Sequence, residues 1–172
     1  AAQAARFLAP RKPTLAAVYR SSALRAMEYA EKHWGGLGEI KAEHDGLVDM
    51  RNLAAVELYR LTGDKRWHRL FLQTTALRDP KTELYVWKKH RQNDAAWIYS
   101  RLEPDAVDQP LQSNCRNAIL READSRMRTS QKAGFRWTKH EWAPAMWGAF
   151  TAPDAVEICR AHVLTGDRKY LR

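Results

Sequence analysis

Residues 132–152 hold the side chains of this sequence that are best suited to binding a ligand. Five of these twenty-one residues are aromatic, and no helical or strand-like periodicity runs through them. A long irregular segment inside a compact domain usually carries function. Aromatic rings stack on the flat faces of sugar rings, and imidazole nitrogens bond sugar hydroxyls. The candidates for ligand binding are therefore Trp137, His140, Trp142 and Trp147.

A structural role for the same rings is an equally good interpretation at this stage. Trp buries a large area when it packs, so these rings could hold the segment against the helices beneath it. Glu141 is the only carboxyl group among residues 132–152. A surface charge or a local hydrogen bond is the simpler role for Glu141, because general acid–base catalysis needs a positioned partner. The catalytic residues stay unassigned.

A second pair of chemically capable side chains, His44 and Asp45, lies in the glycine-rich stretch 35–48. Two ligand-capable groups that are adjacent in sequence rarely face one site, and no third ligand follows at a recognisable spacing. We therefore expect a turn at Asp45-Gly46, since Asp and Gly favour turns. No metal site and no cofactor is predicted.

The length suits one domain, and the composition gives that domain a basic surface. The chain has 172 residues, of which 45% are hydrophobic, and it carries a net charge of +9 from 29 basic and 20 acidic residues. Such a balance would suit nucleic acid, but the basic residues are scattered and no block of five like charges occurs. The sequence contains no run of 18 apolar residues, so no membrane span is predicted. No signal peptide is visible.

Two stretches with a shared pattern indicate how the chain folds. Asn52–Trp67 and Asp154–Tyr170 each contain an apolar helical stripe, then Leu-Thr-Gly-Asp, then two basic residues and an aromatic. Gly63 and Gly166 predict helix ends, because Gly adopts the left-handed conformation of a C-terminal cap. The Asp that follows each Gly can cap the next helix. Antiparallel helical hairpins, and thus an all-α fold, are predicted.

Further helices follow from apolar residues at helical spacing. Residues 1–13, which contain Pro10 and Pro13, are expected to be an entry segment, and Pro13 ends any helix before it. Helices are expected at 14–34, 49–62, 64–78, 94–102 and from 105 or 111 to 131, with a short turn or strand over 84–87. The inward side chains expected in the second and fifth of these helices are Met50, Ala54, Leu58 and Leu61, and Cys115, Ala118, Ile119, Ala123 and Met127. Asp49 is the expected cap of the second helix, and both cysteines, Cys115 and Cys159, are expected to be buried free thiols.

The order of these motifs resembles the middle-to-late part of glycoside hydrolase family 9 catalytic domains. Met146-Trp-Gly-Ala149, a helix, and then Leu164-Thr-Gly-Asp-Arg-Lys-Tyr-Leu171 match the family's Trp-Gly-Ser/Ala, helix, Thr-Gly-Asp and Tyr-Leu. Ala23–His33 resembles the family's helix before a loop, and Asp49–Asp64 resembles the next helix. The resemblance extends over about residues 20–172.

The resemblance implies antiparallel helical hairpins of an (α/α)6 toroid, incomplete in this chain. It implies that residues 1–172 form one helical domain, which is a central-to-late portion of a larger catalytic domain. That family hydrolyses β-1,4-glucans with inversion, so carbohydrate metabolism, a polysaccharide substrate, and a secreted or periplasmic location are implied. It also implies that Trp147 lies in the substrate cleft.

The family's catalytic motifs are absent from this sequence. The base belongs to an Asp-Ala-Gly-Asp motif, and the acid Glu follows Cys-Gly-x-Asn-Pro and His-His-Arg segments; none of these occurs here. We therefore expect that this chain alone does not hydrolyse β-glucans. An incomplete toroid also leaves apolar helix faces uncovered, which favours self-association.

An alternative function from another class is a helical-hairpin binding module. Such a module would use its basic surface to bind nucleic acid or a protein. The two hypotheses differ in salt dependence. Binding to nucleic acid falls steeply as salt rises, whereas stacking of a neutral sugar hardly changes.

Overall fold

The computed structural model describes residues 1–34, 45–86, 89–132 and 155–171. These residues form seven α-helices, two short strands and three 3-10 helices. The α-helices are α1 Ala2–Leu8, α2 Pro13–Trp34, α3 Asp45–Thr62, α4 Lys65–Thr74, α5 Asn93–Tyr99, α6 Gln109–Lys132 and α7 Val156–Thr165. The 3-10 helices are Ala76–Arg78, Pro104–Ala106 and Arg168–Leu171.

The only β-structure among the described residues is one antiparallel pair, β1 Tyr85–Val86 and β2 His90–Arg91. Val86 pairs with His90, and Tyr85 pairs with Arg91. The pair lies between α4 and α5 and leads directly into α5. This confirms the prediction of a short turn or strand followed by a helix.

The helices form two layers, which follow from their order in the chain. The odd-numbered helices are neighbours, because α3 packs against both α1 and α5, and side chains of α5 contact α7. The even-numbered helices α2, α4 and α6 pack against the odd-numbered ones. The helices α1, α3 and α5 thus each form an antiparallel hairpin with the helix that follows, as short connections favour. The odd-numbered layer is called the inner layer below.

The two glycine corners have the predicted geometry. Gly63 has φ 72° and Gly166 has φ 71°, both in the left-handed region. Their N–H groups donate to the carbonyls of Tyr59 and His162, at 2.8 and 2.7 Å. The following aspartates cap the next helices through their side chains: Asp64 accepts from the N–H of Arg66, and Asp167 accepts from the N–H of Lys169.

The main core lies between the two layers. Its fully buried side chains come from α3, α4, α5, α6 and the segments between them, and include Val56, Phe71, Leu77, Leu84, Tyr99 and Ile119. A smaller cluster joins the second half of α6 to α7 through Ala123, Ile158, Ala161 and Tyr170. The predicted inward face of α6 is confirmed, since its first four members are buried and Met127 is half-buried.

A histidine between two tyrosines links three helices inside this core. The imidazole of His68 in α4 stacks on the ring of Tyr59 in α3, with centroids 4.7 Å apart. Its Nε2 lies 2.8 Å from the Tyr99 hydroxyl in α5. That hydroxyl also accepts from the N–H of Asp108, at 2.9 Å. Burial lowers the pKa of His68 and raises that of Tyr99, because each loses solvation of its charged form.

The entry segment contains a helix, α1, over residues 2–8, which ends before Pro10 and Pro13. Two predictions about the start of α3 are wrong. Asp45 and Gly46 begin α3 and do not form a turn. Asp49 is therefore inside α3 and is not its cap.

Two predicted buried side chains, Met50 and Cys159, are exposed. Met50 is 65% exposed, because it lines an open cavity together with Ala2 and Met27. Cys115 and Cys159 are both free thiols, as predicted, but only Cys115 is buried.

Candidate functional site

A polar cavity of about 410 Å³ lies where α5 and α7 begin, beside the β-hairpin. Its charged and amide side chains are Asn93, Asp94, Glu122, Arg126, Glu157 and Arg160, and the hairpin contributes Tyr85 and Arg91. The cavity is thus built by the N-terminal ends of two inner helices.

Arg160 joins the two helices at the centre of this cavity. It lies one turn after Glu157 in α7, and its Nη1 donates to Glu157 Oε1 at 2.9 Å. Its Nη2 donates to Asp94 Oδ1 in the first turn of α5. One guanidinium group therefore holds two carboxylates from different helices, as its planar fork permits.

Glu157 is the most deeply buried carboxyl group of the cavity, and it is 6% exposed. Its Oε1 also accepts from Asn93 Nδ2, at 3.1 Å. Its Oε2 is buried and has no hydrogen-bond partner among the described residues. Burial raises the pKa of Glu157, and the contacts with Arg160 and Asn93 oppose that effect.

The opposite wall of the cavity belongs to α6. Arg126 donates to Glu122 one turn before it, with 2.7 Å between Nη2 and Oε1. Both side chains are only partly exposed, so the pair is fixed more firmly than an ion pair in open solvent. The two helices and α6 together give the cavity alternating positive and negative groups.

A further buried carboxylate, Asp49, ties α3 to the hairpin. One oxygen of Asp49 accepts from the backbone N–H of Arg91, and the other is buried without a partner among the described residues. Arg91 lines the cavity, and Asp49 does not. By holding the backbone of Arg91, Asp49 fixes one edge of the cavity. Its role is therefore to position the hairpin.

The cavity suits a ligand that offers many hydroxyl groups. Its walls carry carboxylates and an amide oxygen as acceptors, and guanidinium and amide groups as donors. Tyr85, which is 40% exposed, adds an aromatic ring at the rim. Glu157 adds a buried carboxyl group whose pKa is raised by burial.

All four predicted ligand-binding residues, Trp137, His140, Trp142 and Trp147, lie outside the described residues, as does Glu141. They occur in sequence between α6 and α7, and both of those helices line the cavity. His44 also lies outside the described part.

Asn93, Asp94 and Arg160 were not predicted as site residues. The one signal in the sequence that pointed toward them is the Glu that precedes the corner glycine in both repeated stretches, Glu57 and Glu157. Both of these glutamates are buried on inner helices.

Within residues 1–34, 45–86, 89–132 and 155–171, no group of three or more His, Cys, Asp or Glu side chains is arranged to hold a metal ion. None of the described helices combines the length and the apolar character that a membrane-spanning helix requires.

The comparisons with known proteins rest on structure. No protein-family model matches the sequence. No curated protein matches it either. Among solved structures, the chain is similar to the GH family 9 endoglucanase J30, with 23% identity and a TM-score of 0.75. It is also similar to a Zn-binding triple mutant of that endoglucanase, with 23% identity and a TM-score of 0.76.

Each likeness covers 99% of this chain but 33% of the solved one, so the chain spans about a third of the length of these structures. At 23% identity, the similarity to these structures shows the fold alone. The chain is all-α and its helical hairpins have the arrangement of part of a family 9 helical toroid, which confirms the predicted fold class.

Proposed function

We propose that this chain is a central-to-late portion of a glycoside hydrolase domain of the family 9 endoglucanase type. In that role it contributes to binding a β-1,4-glucan or a related polysaccharide, and so to carbohydrate metabolism. The observation that supports this most is the match of nearly the whole chain to one third of an endoglucanase toroid. A secreted or periplasmic location is part of the same proposal.

The polar cavity supports a sugar as the ligand. Both donors and acceptors line it, and the inner helices that form it are fixed by Arg160 and Asn93. Rigid placement of a few polar groups is what gives a sugar site its specificity. In this proposal Trp137, His140, Trp142 and Trp147 supply the stacking surfaces that the cavity's charged walls lack.

The chemical step of an inverting glycosidase needs an acid and a base about 6.5–9.5 Å apart, with a water beside the base. The described residues offer one buried carboxyl of raised pKa, Glu157, and its partners hold it in place. We therefore propose a sugar-binding role for this chain and expect no hydrolysis by the chain alone.

Titration with cello-oligosaccharides, followed by Trp fluorescence and calorimetry, tests the proposal. We expect saturable binding that is nearly independent of salt, because stacking and hydroxyl hydrogen bonds involve no net charge. Trp147→Ala should weaken binding on the order of tenfold, since one aromatic contact of this kind contributes about 1 kcal/mol or more. The matched control is Tyr29→Ala, which removes a 68% exposed ring from the outer helix α2. Tyr29 does not line the polar cavity.

Two results would contradict the proposal. One is the absence of any effect of sugar together with steeply salt-dependent binding to nucleic acid, which would favour the basic binding module. The other is turnover of cello-oligosaccharides that persists through purification and disappears in Glu141→Gln, which would show a complete catalytic site in this chain.

A further inference from the structure

A second cavity, of about 420 Å³, lies on the face that the four inner helices share. Its charged and aromatic lining consists of Arg6 from α1, Glu57 and Arg60 from α3, Asp94 and Trp97 from α5, Arg101 just after α5, and Arg160 from α7. Four guanidinium groups and two carboxylates give this lining a formal charge of 4 − 2 = +2. It is called the arginine cavity below.

The two carboxylates are already engaged by other side chains. Glu57 accepts from Gln3 Nε2 at 2.7 Å, and its second oxygen lies 3.8 Å from Arg6 Nη1. Asp94 accepts from Arg160. Arg60 and Arg101 form no ion pair with a carboxylate anywhere in the described part of the chain. The excess positive charge of the cavity is therefore concentrated on these two residues.

Arg101 is held in a defined orientation although it has no acidic partner. Its guanidinium lies over the Trp97 ring, 3.8 Å from the centroid, and its Nε donates to the Trp97 carbonyl at 3.3 Å. Those contacts leave both terminal nitrogens without a hydrogen-bond partner among the described residues. A guanidinium that is stacked and anchored loses little further freedom when it binds an anion.

The pKa values of Arg101 and Arg60 also indicate excess positive charge in the arginine cavity. The pKa of Arg101 is lowered, first by burial and then by the nearby guanidinium groups of Arg60, Arg160 and Arg6. The pKa of Arg60 is lowered by burial and by Arg6. Partial desolvation and mutual repulsion both raise the free energy of the empty cavity, and an anion would relieve both.

We propose that the arginine cavity is an oxyanion-binding site, with Arg60 and Arg101 as its main ligands. A guanidinium fork matches the spacing of two oxygens in a carboxylate, sulfate or phosphate group, whereas a neutral hydroxyl gains much less from it. The volume admits either a free inorganic anion or the carboxylate of an acidic sugar. The arginine cavity shares Asp94 and Arg160 with the polar cavity, but Arg60 and Arg101 line only the arginine cavity. The proposal therefore does not depend on the function proposed above.

Calorimetric titration of the 172-residue chain at pH 7 tests the proposal, with sodium chloride holding the ionic strength constant. Sodium sulfate and sodium glucuronate are the two probes, and glucose is the neutral comparison. We expect saturable binding of at least one anion and none of glucose. Arg60→Gln and Arg101→Gln should each weaken anion binding on the order of tenfold, because each removes a charge-assisted hydrogen-bond donor.

Arg69→Gln is the matched control. It removes the same charge from an exposed position of α4, away from the cavity, and should leave anion affinity within about twofold of the parent, as expected for a screened distant charge. Arg101→Lys keeps the charge and loses the fork, so an affinity between those of the parent and Arg101→Gln is expected.

The parent chain alone can overturn the proposal. Heats from sulfate and glucuronate that equal those from chloride at the same ionic strength would do so, whatever the variants show. Equal weakening by Arg69→Gln and Arg101→Gln would also overturn it, because the effect would then be general charge. Binding of sulfate shows that a free oxyanion suffices, and binding of glucuronate alone identifies an acidic sugar. Binding of neutral cello-oligosaccharides should not change in Arg101→Gln, so this test fails or succeeds separately from that of the proposed function.

Discussion

At the scale of single residues, two ionisable groups lose solvation on folding: Glu157 of the inner helix α7 and His68 of α4. Burial raises the pKa of Glu157 and lowers the pKa of His68. In each case burial disfavours the charged form. Their contributions to stability therefore depend on pH with opposite signs.

Glu157 should make the folded protein relatively more stable in acid. Its raised pKa means that the folded state binds the proton more tightly than the unfolded state, whose pKa is about 4.3. Its contribution is fully present below that value and is lost as pH rises through the folded pKa. We therefore expect that, in urea unfolding between pH 4 and 7.5, the free energy of unfolding of Glu157→Gln rises relative to that of the parent as pH rises. Glu83→Gln, at an exposed position, should show no such trend.

His68 should act in the opposite direction. Its folded pKa lies below that of the unfolded state, about 6.5, so protonation favours unfolding. Its contribution is fully present above that value and is lost as pH falls toward the folded pKa. His68→Gln loses the stacking on Tyr59 at every pH, but its unfolding free energy should change less than the parent's between pH 7.5 and 5.5. A slope as steep as the parent's, or an equal flattening in the exposed His33→Gln, would argue against this assignment.

At the scale of secondary-structure elements, the corners were predictable because they depend on four consecutive residues. Leu-Thr-Gly-Asp specifies a left-handed Gly and a capping Asp without reference to any distant part of the chain. The bounds of α1 and α3 were harder to predict from the sequence. Helix α1 buries only Ala5 and shows no apolar row. Asp45-Gly46 suits a turn and a helix start equally well. The contact between Asn93 and Glu157 joins residues 64 positions apart, so no local pattern reveals it.

Gly63→Val and Gly166→Val should each lower the free energy of unfolding by about 1 kcal/mol or more, because a β-branched residue resists the left-handed conformation. A side chain at either position would meet no atom within 4 Å, so the cost is one of backbone conformation alone. The measurement is the urea midpoint of each variant.

Gly46→Ala is the comparison for both corners. Gly46 also has free space around it, but it is helical, and Ala stabilises an exposed helical position by about 0.5–1 kcal/mol relative to Gly. Corner variants that are as stable as the parent would show that these turns do not require glycine.

At the scale of the whole molecule, apolar surface remains on the outer layer. Leu15, Val18 and Tyr19 of α2 are 41%, 59% and 38% exposed and lie next to one another at helical spacing. An uncovered apolar patch of this kind favours association. The two-layer arrangement could be predicted from the hairpins. The hairpins do not predict which helix faces remain uncovered, because that depends on how much of the toroid the chain forms.

The chain should therefore self-associate, and charges on α2 should reduce this. In sedimentation velocity, the double variant Leu15→Lys with Val18→Lys should shift toward monomer at concentrations where the parent associates, because each Lys replaces an apolar contact with a repulsive charge. The control is Gln73→Lys with Gln131→Lys, which adds two charges at exposed positions of α4 and α6. Equal dissociation by both double variants would mean that net charge, and not the α2 patch, governs association.

The alternation of inner and outer helices also bears on how the chain acquires its structure during synthesis. Nearly every helix packs against the one that precedes or follows it, so most of the stabilising surface becomes available as soon as the next helix leaves the ribosome. Contacts of short sequence separation close quickly and lose little chain entropy. The hairpins α1–α2 and α3–α4 should thus form in N-to-C order, while the link from Asn93 to Glu157 must wait until α7 has been translated. Nascent chains that end before residue 156 would then be helical but would lack the polar cavity.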